Sequence, residues 1–263
     1  MIVWETFAER DNWPRVGWAM PAATVTASSS VAGFGAALAV NGDTFDAWKP
    51  SSVPAWLQLD FGTAQEISYA GIAAHTAGTD GATVGIQYWT GAAWVNFPGC
   101  SLAPDDNAPV MWLTKTVNTS RIRLTIADAV CEVGVFKVGR VMQFVDQRRA
   151  TYLGAVGIDA RVVEWQDNMS VTGEKLGRTI RSDGLSFAFA VPYLPETWAA
   201  DEWPAFQAHC LGDDGFFLAT RPAQYLNEVY FAWNETPPTL ERTYPNKLMS
   251  RTLSMQLRGY KAT

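Results

Sequence analysis

Histidine and cysteine are scarce in this 263-residue chain, which has two of the first and three of the second. With only His75 and His209, few routes remain to a histidine-based triad or a multi-histidine metal site, and each reads as a hydrogen-bonded structural group. Cys100, Cys131 and Cys210 are odd in number and lack CxxC spacing, so they suggest neither a disulfide framework nor a zinc site but small buried side chains. Charge is also low, at 17% against 48% apolar residues, which excludes wholesale disorder. A net charge of -6 leaves no basic face to neutralise phosphates, so nucleic-acid binding is not expected. No apolar run is long enough to span a bilayer, so membrane insertion is not expected. The amino terminus MIVWETFAERDNWPR lacks a basic region followed by an apolar core, which predicts no signal peptide and synthesis in a cytoplasm.

Catalysis needs a nucleophile, an acid-base group or a metal held within reach of one another. The carboxylate pairs Asp105-Asp106, Asp201-Glu202 and Asp213-Asp214 are adjacent in sequence, whereas a glycosidase holds its two carboxyls roughly 5 to 10 Å apart across a sugar. They read as solvated turn acids. No residue is assigned a catalytic role, and the chain is expected not to be an enzyme.

What the sequence does have is alternation and tryptophan. Short period-two runs at Trp56 to Phe61, Ile67 to Ala74, Val84 to Trp89, Trp94 to Phe97 and Arg121 to Ile126 are separated by glycine, proline and aspartate. They predict a sandwich or barrel. Trp89-Thr90-Gly91-Ala92-Ala93-Trp94 predicts a hairpin flanked by aromatics, with Gly91 free to take the positive φ of a tight turn. Further runs follow at Ala160 to Trp165, Leu185 to Val191, Phe216 to Ala219, Glu228 to Trp233 and Thr252 to Leu257. Between them a helix is predicted from Trp203 to Leu211, with Pro204 in its first turn, where its missing N–H is not needed. The length suits two domains, 1–140 and 141–263.

The order Asn41-Gly42-Asp43, Trp48, Trp56-Leu57-Gln58-Leu59-Asp60-Phe61-Gly62, Ile67, Ile72, the Tyr88-to-Trp94 hairpin, Ile122-Arg123-Leu124 and Glu132-Val133-Gly134-Val135 resembles the discoidin family. That family includes the coagulation-factor C-type domains and galactose-binding-like carbohydrate-binding modules. The resemblance implies a mainly β fold, with an N-terminal jelly-roll sandwich in which Trp48, Leu57, Leu59 and Phe61 are core residues. It also implies glycan binding by aromatics at the loop end, for which Trp56, Trp89, Trp94 and Trp112 are the candidates. A structural Ca²⁺ would be held by Asn41, Asp43, Asp46 and Glu132. The family commonly has aspartate in place of Asn41 and threonine in place of Asp46, and an Asx-type turn before Trp48 is the competing reading.

The second half reads as a further β-sandwich or barrel with one short helix. Its Trp203/Phe206 helix, Gly215 to Ala219 strand, Pro222/Tyr225 turn, Val229 to Trp233 run and closing Leu253 to Tyr260 strand resemble distal tail proteins of tailed bacteriophages. This implies a ring, hexameric or alternatively trimeric, joining tail tube, hub and fibre proteins at the tail tip or baseplate of a virion. Host-surface glycans would be weak ligands of its discoidin-like part. Arg148, Arg149, Arg178 and Arg181 are candidates for subunit contacts. The alternative is a carbohydrate-binding adhesin or an enzyme-accessory module.

Overall fold

The computed structural model describes residues 1–4, 13–97, 100–145, 160–243 and 250–262. The first strands in chain order are β1 (Ile2–Trp4), β2 (Arg15–Gly17), β3 (Thr24–Ala27), β4 (Ala55–His75), β5 (Thr83–Trp89), β6 (Trp94–Asn96), β7 (Val110–Ala127), β8 (Val133–Gly139) and β9 (Met142–Gln143). Then come β10 (Arg161–Met169), β11 (Lys175–Pro195), β12 (Phe216–Ala219), β13 (Val229–Asn234), β14 (Thr239–Thr243) and β15 (Ser250–Gly259). A one-turn helix α1 (Ala77–Asp80) follows β4, and α2 (Glu196–Asp201) and α3 (Trp203–Cys210) separate β11 from β12. The chain is mainly β, as its alternation predicts.

Among the described residues the strands form a seven-stranded and an eight-stranded sheet. In the first, β4 and β7 are long enough to serve two layers. Their 55–60 and 121–126 halves pair with each other beside β3 and β5, and their 67–72 and 110–117 halves pair beside β8 and β1. Between the halves the register shifts, so the two long strands turn a corner and face themselves. Leu57, Leu59, Ile122 and Leu124 from one layer meet Ile72, Trp112, Phe136 and Val138 from the other in one apolar core. This is a discoidin-like sandwich.

The second layer is covered on both faces. The opposite parity of its strands, Tyr69, Ala73, Met111, Leu113 and Val135, packs against Phe217, Ala219, Val229 and Phe231 of the eight-stranded sheet. Every residue of β8 is therefore buried, and Phe216-Phe217-Leu218-Ala219 is buried along its length. Continuous apolar runs of this kind are what a strand covered on both faces requires. Gly71 presents no side chain where the Phe217 ring lies, and a Cβ there would sit 2.7 Å from it. Lys137 is buried at the same contact, with Nζ 2.5 Å from Asp214 and donating to the Gly215 carbonyl at 2.8 Å.

The far face of the eight-stranded sheet holds a third core beneath the helices. Trp198, Trp203, Phe206 and Cys210 descend onto Phe144, Phe189, Phe216 and Leu257. In α3 the buried residues fall at 203, 206 and 210, the spacing of one helical face, and Pro204 stands in the first turn. The predicted helix is present. The preceding helix α2 was not expected from sequence; it ends two residues before Trp203 and places Trp198 so that its indole N–H donates to the Gln143 carbonyl at 3.1 Å.

One element crosses the expected division at residue 140. β2, near the amino terminus, pairs with β12 and β9 in the eight-stranded sheet, while β1 pairs with β7 in the seven-stranded one.

Candidate functional site

The first layer of the sandwich has its inner face in the core and its other face toward solvent. Its residues alternate accordingly: Leu57 and Leu59 are fully buried, and Trp56, Gln58 and Asp60 between them are not. The strand register then fixes which outward residues are neighbours. Asn96 lies opposite Gln87, Gln87 opposite Arg123, and Arg123 opposite Gln58, giving a row of polar side chains across four strands. In the adjacent row Trp94 faces Trp89, and Arg121 faces Asp60. Trp56, beside Thr125, belongs to the row on the other side.

These side chains are organised by one another. The Arg123 guanidinium lies 4.2 Å from the centre of the Trp94 ring, and the Trp94 and Trp89 rings are 5.5 Å apart at a tilt of 59°. Arg123 Nε donates to Gln87 Oε1 at 2.6 Å, and Gln87 Nε2 donates to Asn96 Oδ1 at 2.6 Å. This relay fixes the amide orientations and leaves the Asn96 amide nitrogen as an outward donor. Partial burial lowers the Arg123 pKa, although a guanidinium remains charged at any ordinary pH. Arg121 Nε is ion-paired with Asp60 at 2.7 Å.

The hairpin carrying the two tryptophans is held from both ends. At its tip, Gly91 has φ +98°, and the Thr90 hydroxyl accepts from the backbone N–H of Ala93 at 3.1 Å. At its base, the buried Thr119 hydroxyl accepts from the backbone N–H groups of Trp89 and Arg121, both at 3.2 Å. The predicted hairpin is present, with Trp89 and Trp94 flanking the turn as expected.

Of the four tryptophans expected to contact glycan, Trp89 and Trp94 come together on this face, and Trp56 shares the face on β4, apart from that pair. Trp112 does not: it is only 2% exposed and its indole N–H donates to the Cys100 carbonyl at 2.8 Å, so it is a core residue. Its strand reads as outward or inward with equal ease until the two-layer path of β7 is known. The polar partners Gln58, Gln87, Asn96, Arg121 and Arg123 were not singled out from sequence. Their shared parity with the tryptophans was a usable signal.

The residues expected to bind Ca²⁺ have partners within the chain. Asn41 Nδ2 donates to both Asp46 carboxylate oxygens, at 3.1 and 3.2 Å, and Asn41 Oδ1 accepts from the Asp43 backbone N–H at 3.0 Å, which is the Asx-type turn. Glu132 is instead engaged by the Lys49 ammonium at 2.8 Å, which holds the Lys49 pKa above its ordinary value, first through that hydrogen bond and then through charge. Among the described residues no group of three or more His, Cys, Asp or Glu side chains is arranged for a metal. The cation beside Glu132 is thus the chain's own. Millimolar Ca²⁺ or a chelator is expected to move the melting temperature by less than about 1 °C, against the several degrees that a site filled well above its Kd produces. Differential scanning calorimetry in both conditions checks this, and a clear Ca²⁺-dependent rise would overturn it.

His75 is buried and His209 is half-buried. His75 Nε2 lies 2.9 Å from the Ala108 carbonyl and Nδ1 accepts from the Ala77 N–H at 3.3 Å, while the His209 ring packs against Trp18. Arg178 and Arg181 make their contacts within one hairpin, to Asp167 and Gln166. Arg148 and Arg149 lie outside the described residues.

Comparison with curated proteins gives no match. Among solved structures, similarity is found to a pectin-binding carbohydrate-binding module, with 20% identity over 46% of this chain and 93% of that one at a TM-score of 0.41. Chitosan-binding module 1 of a chitosanase/glucanase from Paenibacillus sp. IK-5 gives 20% identity over 47% and 98% of the two chains, at 0.40. The family 32 module of C. perfringens NanJ, solved with galactose, gives 17% identity over 46% and 93%, also at 0.40. None of these matches lends support to the tailed-phage resemblance of the second half, to a ring with tail-tube, hub and fibre partners, or to a virion location. Residues 24–136 match the model of the F5/8 type C domain, so the N-terminal region is similar to that discoidin-like domain, and the outer face with Trp56, Trp89, Trp94 and Arg123 lies within the matched residues.

Proposed function

We propose that this protein binds carbohydrate, without turning it over, on the outer face of the sandwich. The observation that carries the reading is the Trp89/Trp94 pair set beside the Arg123–Gln87–Asn96 relay on a solvent-facing sheet. Pyranose rings have apolar C–H faces that pack on indole and a rim of hydroxyls that need donors and acceptors, and this face offers both side by side. The relay orders the polar groups before any ligand arrives, which reduces the entropy lost on binding. The family match over residues 24–136 and the binding modules among the similar structures agree with this class of ligand. Asp60, the acid on the face, is neutralised by Arg121 at 2.7 Å and so reads as a scaffold group rather than an acid catalyst.

A glycan-array screen followed by isothermal titration calorimetry tests this. Trp94→Ala and Arg123→Ala are each expected to weaken the best ligand about tenfold or more, the equivalent of ~1.4 kcal/mol, with the melting temperature little changed. Phe45 is an aromatic 87% exposed on the loop preceding β4, outside the strands that form this face. Phe45→Ala is expected to leave affinity intact; loss of binding there, with Trp94→Ala unaffected, would move the site to the loop end.

A further inference from the structure

The eight-stranded sheet ends in an arm. β11 pairs with β15 only from Leu185 onward, so residues 161–184 of β10 and β11 form a two-stranded hairpin that continues past its neighbour. β10 is the terminal strand of the sheet order, and nearly every residue of the arm is exposed. A two-stranded hairpin alone in water is marginally stable. This one nevertheless carries its large apolar groups outward: Trp165 is 52% exposed, Met169 63%, Leu176 68% and Ile180 60%, with Val171 fully exposed at the tip.

The arm has two unlike faces. Trp165 stands directly opposite Ile180, and Asp167 opposite Arg178, whose guanidinium lies 4.5 Å above the Trp165 ring and is ion-paired to Asp167 at 2.7 Å. The other face is polar, with Arg181 bonded to Gln166 and Asn168 to Thr179. At the base the arm is tied down by Arg161 and Lys261 to Asp183 and by Arg258 to Glu164. The base is anchored, the distal part has one apolar face, and no described element covers that face.

We infer that the apolar face of this arm is a self-association surface, and that its occupant is a second copy of this chain. Two observations favour a second copy. The arm leaves five large apolar side chains, Trp165, Met169, Val171, Leu176 and Ile180, each more than half exposed and grouped on one hairpin, where a monomer ordinarily exposes such residues singly. Charge points the same way: Arg161, Lys175, Arg178 and Arg181 balance Glu164, Asp167, Glu174 and Asp183, so the arm is neutral on a chain of net charge -6. Copies meeting through their arms escape the repulsion that two acidic surfaces meet elsewhere. An arm seated on a different patch of the neighbour would propagate into a ring or filament, and arm-to-arm contact would close as a dimer.

Light scattering on the purified chain from about 1 to 200 μM, with the double variant W165S/I180S alongside, tests the inference. The chain is expected to show a mass of two or more copies that falls on dilution. The variant is expected to remain a single copy throughout, with unchanged far-UV circular dichroism and melting temperature. If the variant misfolds, Leu176→Asp at the far end of the arm gives the same comparison. A single copy at every concentration would overturn the inference and leave the arm to a foreign partner. An assembly that the variants leave unchanged would overturn it too, by placing the contact elsewhere.

Discussion

Phe217→Ala is expected to lower the unfolding free energy by about 3 to 5 kcal/mol, as for other fully buried phenylalanines. The ring is inaccessible to solvent, lies 5.1 Å from the Phe231 ring, and fills the space that Gly71 leaves on the neighbouring sheet. Truncation therefore removes the contact between the sheets and opens a cavity that two rigid strands cannot collapse to fill. Gly71→Ala makes the complementary test. In the parent its Cβ would meet the ring at 2.7 Å and cost about 1 to 3 kcal/mol by overpacking. In the Phe217→Ala background that cost is expected to vanish, so the pair is strongly non-additive. Urea denaturation of the four proteins measures the cycle, and a loss below about 1 kcal/mol for Phe217→Ala would mean that the two sheets do not share a core.

Acid is expected to destabilise the fold well before its carboxylates protonate. Burial pushes His75 down to about 4 from its ordinary 6.5, partly offset by its bond to the Ala108 carbonyl. The neutral ring suits its place, since Nδ1 accepts the Ala77 N–H and a proton there would confront another donor. Because the folded value is depressed, the unfolded chain takes up the proton first. Stability is full above about pH 6.5, declines as pH falls, and has lost the whole contribution once pH is below about 4, an amount of roughly 3 kcal/mol. His209 adds to the same trend, lowered by burial and then by Lys137. Denaturation curves from pH 7.5 to 4 should fall more steeply for the parent than for His75→Gln. Parallel curves would show that His75 is not the group responsible.

Much of this was legible in the sequence, and the reason is local. The alternation in Trp56 to Phe61, Val84 to Trp89 and Arg121 to Ile126, the Gly91 turn and the 203/206/210 helical face are each written within a few residues. What was not legible depends on register and on long-range pairing. Nothing local shows that β4 and β7 run through both layers, and so nothing local separates Trp112, in the core, from Trp94, on the surface. The same ignorance hid Arg123, Gln87 and Asn96, which become a site only once three strands are aligned. The contact that engages Glu132, one of the residues expected to bind Ca²⁺, was hidden for a related reason: Lys49 and Glu132 lie 83 residues apart, and their ion pair is invisible until the bridge between Trp48 and Val133 brings them side by side. The exposed apolar arm likewise looks, in sequence, like any buried strand pair.

The placement of β1 in one sheet and β2 in the other sets an order of events at the ribosome. β1 can join β7 as soon as residues 111–113 have emerged, so the sandwich can form before the eight-stranded sheet. β2 can pair early on one edge only, with β9 at residues 142–143; the partner of its other edge, β12, is made some 200 residues after it. From the completion of β9 until β12 is made, then, a two-stranded piece next to a finished sandwich waits with one edge unpaired. The eight-stranded sheet is completed only when the last part of the chain returns to the first, so a nascent chain stalled before residue 216 has a formed sandwich and an open apolar flank. For a cell this is the stage at which a chaperone has something to hold.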